Sequence, residues 1–132
     1  MLQSQYRQIV STITASYPTA SAIYLFGSRA TEREKADSDW DIALLTAEKL
    51  PPLERWQLSG SLCELLDGEV DLVDLLTAST VFQMQIVTTG KLLFQQQPAT
   101  ANFEMQVFSM YGRLQESRRE IIEQFISETK NA

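Results

Sequence analysis

Apolar residues recur at helical spacing over residues 2–16, where Tyr6, Ile9, Val10 and Ile13 share one face. Tyr17-Pro18 ends that helix, because the residue before a proline avoids the helical region. Residues 22–26 are apolar throughout, as in an interior strand. Gly27-Ser28 then turns the chain, and a charged segment leads to a second strand over residues 40–46. Pro51-Pro52 opens a helix, since proline suits a first turn. Its broad apolar face is read from Leu53, Trp56, Leu58, Leu62, Leu65 and Leu66, with Gly68 as the stop. Residues 69–76 form the next strand. Thr77-Ala78-Ser79 caps a helix with Val81, Phe82, Ile86 and Val87 on its face, closed by Gly90. Residues 91–94 give a last short strand. Residues 95–100 are polar and patternless and read as a linker. A long helix follows over residues 102–129, with Phe103, Val107, Met110, Leu114, Ile121 and Phe125 in one stripe.

Helices and strands thus alternate, which is an α/β pattern. The expected organisation is one domain over residues 1–97. Residues 98–132 form a C-terminal helix that packs on that domain, on a partner, or on both. At 132 residues the chain can bury a real core. Its net charge of −6 argues against a protein that grips nucleic acid by its backbone. The absence of histidine excludes histidine acid–base chemistry and His-ligated zinc. The lone Cys63 offers no internal disulfide and suits a reducing cytoplasm. The first residues lack the apolar core of a signal peptide, and no apolar run is long enough to span a membrane.

The candidate chemistry lies between the first two strands. Asp39 and Asp41 point to one face of a strand, because side chains alternate. Two adjacent carboxylates repel unless a cation or proton lies between them. Opposite a glycine turn that can accept phosphate, they make a site for Mg²⁺ and a nucleoside triphosphate. Ser28 can cap the next turn and offer donors to an anion. Arg29 is a candidate for the triphosphate, with a solvated arginine as the plain alternative. Glu32, Arg33, Glu34 and Lys35 read as a solvated face, and Trp40 as a core or interface aromatic. Two acids compete for a third place, Asp71 and Asp74, which point to opposite faces of their strand. Asp71 is preferred, since it lies near the start of its strand as Asp39 and Asp41 do. Those ends meet if the two strands are parallel neighbours. Asp74 is then a cap or loop anchor.

Gly27-Ser28, a ten-residue gap and Asp39-Trp40-Asp41-Ile42 resemble the signature of the DNA polymerase β-like nucleotidyltransferases. More narrowly, the chain resembles the minimal nucleotidyltransferases that form the antitoxin half of HEPN/MNT toxin–antitoxin pairs. Val70-Asp71-Leu72-Val73 resembles the family's third-carboxylate strand. Where relatives carry a further glycine after the Gly-Ser pair, this chain has Glu32. The resemblance implies a mixed sheet flanked by helices. It implies two Mg²⁺ ions held by Asp39, Asp41 and Asp71, with the outer phosphates of ATP on Gly27 and Ser28. It further implies transfer of AMP to a tyrosine hydroxyl of a HEPN-type ribonuclease toxin, since the chain shows no second domain for an RNA or drug acceptor. Two other functions stay open: an antitoxin that masks its toxin by binding alone, and a small-molecule nucleotidyltransferase of the aminoglycoside type.

Overall fold

A computed structural model of the protein describes residues 2–30 and 39–130. Its elements run α1 (Leu2–Ser16), β1 (Ala22–Phe26), a 3₁₀ turn (Gly27–Arg29), β2 (Trp40–Leu45), α2 (Pro52–Leu66), β3 (Val70–Asp74), α3 (Thr80–Thr89), β4 (Lys91–Gln95) and α4 (Ala99–Lys130). The charged face expected over Glu32–Lys35 lies outside the described residues.

The strands form one mixed sheet in the order β3-β2-β1-β4. β1 runs antiparallel to both β2 and β4, while β2 and β3 are parallel. Parallel neighbours need a long crossover, and α2 supplies it. The central strands are apolar on both faces because both faces are covered. Ile23, Leu25, Trp40, Ile42 and Leu44 pack against Ile9 and Ile13 of α1 and Leu58, Leu62 and Leu66 of α2. Tyr24, Phe26, Ala43 and Leu45 pack on the other face against Ile86 of α3, with Phe82 and Phe103 at the margin. The mixed α/β architecture with a long C-terminal helix is the one expected.

Three readings change. The left-handed position that ends α2 falls on Asp67, with φ 51°, rather than on Gly68. α2 buries the i, i+4, i+8 set Leu58, Leu62 and Leu66, and leaves Leu53 and Trp56 on the solvent side. Six apolar residues cannot share one narrow stripe, and those spaced at one helical turn reach the sheet. The expected linker is mostly structure: Gln95 belongs to β4 and α4 begins at Ala99. What remains is a turn. There the Ser21 carbonyl accepts from Gln96 N–H at 2.7 Å and from buried Thr100 Oγ1 at 2.8 Å.

The first turns of α4 are therefore part of the core. Val107 is buried, and Tyr24 donates its hydroxyl to Glu104 Oε1 at 2.6 Å. Burial, reinforced by that carboxylate, pushes the Tyr24 hydroxyl well above the usual tyrosine range. Beyond Val107 the helix carries exposed Phe108, Met110, Leu114, Ile121, Ile122, Phe125 and Ile126. Among the described residues no helix is long and apolar enough to cross a membrane.

Candidate active site

β1 ends at Phe26, which pairs with Asp41 of β2. Gly27 follows with φ 73°, a left-handed backbone that side chains rarely adopt. It also lies against the Asp41 carboxylate. A Cβ on Gly27 would overlap Asp41 Oδ2 and stand 3.1 Å from its Cγ. Two independent demands, dihedral and space, thus require glycine here. The sequence pointed to a glycine turn but not to this contact. The antiparallel register Phe26↔Asp41 produces it, and only pairing reveals that register.

Ser28 and Arg29 complete the 3₁₀ turn, with Gly27 and Ser28 exposed. The Arg29 guanidinium lies over the Trp40 indole, 3.9 Å from the ring centroid. Trp40 itself is buried in the layer beneath α1 and α2, in keeping with a core aromatic. Asp39 is exposed immediately before β2, and Asp41 is half-buried one turn of the pleat later.

The parallel pairing of β2 and β3 sets Asp71 directly opposite Asp41. Asp41 and Asp71 therefore leave the sheet side by side on one face, and alternation puts Asp39 on that face too. Asp74 goes elsewhere. It is 1% exposed and accepts from Leu50 N–H at 2.8 Å and Leu76 N–H at 3.0 Å. Its carboxylate ties the loops after β2 and β3 together, as a loop anchor.

Burial, then the charges of Asp71 and Asp39, raises the Asp41 carboxyl above the usual carboxylate range. Three hard oxygen donors in this state suit Mg²⁺ or Mn²⁺. Among the described residues no three acids close into a ready-made metal cage. Magnesium characteristically takes one or two carboxylates plus substrate phosphates rather than an all-protein shell. The site fits a metal that arrives with a polyphosphate.

Known proteins share this arrangement's sequence and shape. The family model described as polymerase beta, nucleotidyltransferase matches residues 8–99. The protein adenylyltransferase MntA of Shewanella oneidensis is 40% identical over 129 residues, which span 98% of this chain and 93% of that protein. A crystal structure of a toxin–antitoxin with AMP-PNP contains a chain with a TM-score of 0.81 and 40% identity, covering 92% of this chain and 98% of that one. A second structure holds the tri-AMPylated Shewanella oneidensis HEPN toxin in complex with MNT antitoxin. Its matching chain has a TM-score of 0.79 and 39% identity, with 96% of this chain and 99% of that one covered.

Proposed function

Because the chain belongs to the polymerase β nucleotidyltransferase family, we propose that it is an antitoxin that transfers AMP from ATP to a hydroxyl of a cognate HEPN toxin and so neutralises it. The observation that carries this reading is the pairing of Asp41 with Asp71 on one sheet face, against the Cβ-free backbone of Gly27. Likeness over nearly the whole chain to a protein adenylyltransferase supports the choice of a protein acceptor.

In this reading Gly27 and Ser28 receive the outer phosphates, with amide and hydroxyl donors at the turn. Arg29 offers a guanidinium to the triphosphate from its seat over Trp40. Asp39, Asp41 and Asp71 would hold two Mg²⁺ ions, which would supply charge neutralisation at the triphosphate and a lowered pKa at the acceptor hydroxyl. Asp71 accepts the proton that the hydroxyl loses. The hydroxyl oxygen forms a bond to the α-phosphorus, the bond from that phosphorus to the bridging oxygen breaks, and pyrophosphate leaves. The acceptor is a tyrosine, and the lone-thiol, histidine-free chain works in the cytoplasm. The far part of α4, with its apolar residues exposed, docks the toxin, while its first turns stay in the domain.

The test is to incubate the protein with the toxin encoded beside it, ATP and Mg²⁺, and to weigh the intact toxin. Mass added in AMP steps, lost with Asp39→Asn plus Asp41→Asn, is the expected result. Full neutralisation by that double variant, with no mass added by the wild type, would establish masking by binding alone.

A further inference from the structure

α2 leaves an apolar strip bare beside the candidate active site. Leu53 and Trp56 are 64% and 73% exposed. Their positions, three apart, put them on one face of the helix. Between this strip and the sheet runs an open groove of roughly 340 Å³, lined by Pro52, Arg55, Trp56 and Ser59 of α2 and by Asp71 and Leu72 of β3. β3 is an outer strand of the sheet, so among the described residues its far edge has no strand partner. Glu69 O accepts from Trp40 N–H, and Leu75 N–H donates to Leu44 O. The parallel ladder alternates, so Asp71 and Val73 turn their backbone groups to β2, and Val70 and Leu72 turn theirs outward. Ser59 Oγ already donates to the Val70 carbonyl at 3.1 Å. The N–H and C=O of Leu72 face the groove.

Position decides what such a groove is for. Across the sheet the order is the Gly27-Ser28 turn after β1, then Asp39 and Asp41 at β2, then Asp71 on β3, then the groove. In-line displacement at phosphorus puts the attacking and leaving oxygens on opposite sides. With the outer phosphates on Gly27 and Ser28, the acceptor hydroxyl arrives from the β3 side. The groove opens there along the edge of β3 and is lined in part by Asp71, whose carboxylate leaves the sheet on the face away from α2. At the small end of ligand-site volumes and open along its length, it suits a chain segment better than a whole nucleotide.

We propose that this groove is the acceptor subsite, which takes an extended, hydroxyl-bearing segment of the protein substrate along the edge of β3. The proposal rests on the protein-adenylyltransferase reading given above. The segment adds to the sheet edge through Leu72, the mode by which peptides join exposed strands. Side chains of an added strand alternate, so the residue next to the hydroxyl-bearing one turns toward α2, where Trp56 packs its apolar or aromatic side chain as a large exposed indole does at an interface. Arg55 and Trp56 are positioning residues, and Asp71 remains the group that meets the proton.

The experiment compares wild type, Trp56→Ala and Trp56→Phe, all full-length, in AMP transfer to the cognate toxin. Steady-state rates are read against toxin concentration, with affinity for a fluorescent ATP analogue and Tm measured in parallel. Trp56→Ala is expected to lower kcat/KM for the toxin by about tenfold, the effect of losing roughly 1.4 kcal/mol of transition-state binding. Nucleotide affinity and Tm stay at wild-type values, because an exposed side chain is removed. Trp56→Phe restores most of the rate. Weakened nucleotide affinity with an unchanged toxin dependence would show that the groove holds the base, and overturns the proposal. Unchanged values throughout for Trp56→Ala overturn it as well. Wild type that adds no AMP to the toxin at all would instead remove the adenylyltransferase reading, and the acceptor subsite with it.

Discussion

The two acids of β3 should separate activity from stability when each is changed alone. Asp74 is buried and receives two backbone N–H groups, from Leu50 and Leu76. Asn at that position keeps one oxygen for one donor and turns an NH₂ group toward the other. A hydrogen bond to a charged group contributes about 1.5–3 kcal/mol, and a buried donor left unmatched costs a similar amount. Asp74→Asn should therefore destabilise the fold by roughly 2–3 kcal/mol. At about 3–5 °C per kcal/mol for a domain of this size, Tm should fall by roughly 6–15 °C. Asp71 is exposed, and its neighbour across the ladder is another carboxylate. Asp71→Asn should leave Tm unchanged or slightly raised. It should cut AMP transfer by on the order of 10²-fold, since it removes the proton acceptor for the attacking hydroxyl. Calorimetric Tm and initial transfer rates at saturating ATP and Mg²⁺, taken well below both melting points, give the comparison. An Asp74→Asn protein with wild-type Tm and no transfer, beside an Asp71→Asn protein with wild-type rates, would refute the assignment.

Gly27→Ala should destabilise by about 1–2 kcal/mol from the left-handed backbone alone. By displacing the Asp41 carboxylate, it should also lower transfer far more than its Tm loss explains; rates and Tm from one preparation test this. Asp41→Asn should raise Tm near pH 7. A carboxyl raised above its unfolded pKa gives stability that is lost as pH rises through the folded value, so removing the charge restores it. The gain is small because solvent screens the site, and it should vanish in scans run below the usual carboxylate range. Truncation after Gly112 keeps Thr100, Phe103, Glu104 and Val107, and should leave a cooperatively folded domain that binds toxin weakly in calorimetric titration. Truncation after Gln97 removes all four, and its melting should be low and broad.

The fold was legible because its strands are short, apolar and separated by strong turn chemistry. Ala22–Phe26 could be read as buried on both faces from composition alone, and the Gly27-Ser28 turn with Asp39 and Asp41 could be read from spacing. The preference for Asp71 over Asp74 depended on β2 and β3 being parallel neighbours, a fact that no residue in either strand encodes. It is set by α2, whose crossover brings β3 back beside β2 in the same direction. The contact of Gly27 with Asp41 was equally invisible, being a consequence of antiparallel register rather than of either residue.

The apolar faces were read too generously, and for one physical reason. Helical spacing tells which residues share a side but not how wide a strip the sheet can cover. In α2 the sheet reaches Leu58, Leu62 and Leu66, and in α4 it reaches only as far as Val107. Much of the surplus therefore lies in two places, Leu53 with Trp56 on α2 and the far part of α4. Exposed apolar surface that a core cannot use is the kind that a partner can cover. In the proposed reading the two strips divide the work of a protein-modifying enzyme. One lies on α4 beyond Val107, where it can hold a substrate. The other borders Asp71, where a small displacement of the acceptor changes the rate. Loss of the first should appear as weaker association, and loss of the second as slower transfer with the nucleotide still bound. The two kinds of variant should therefore combine additively in kcat/KM, since they act on different steps, association and transfer.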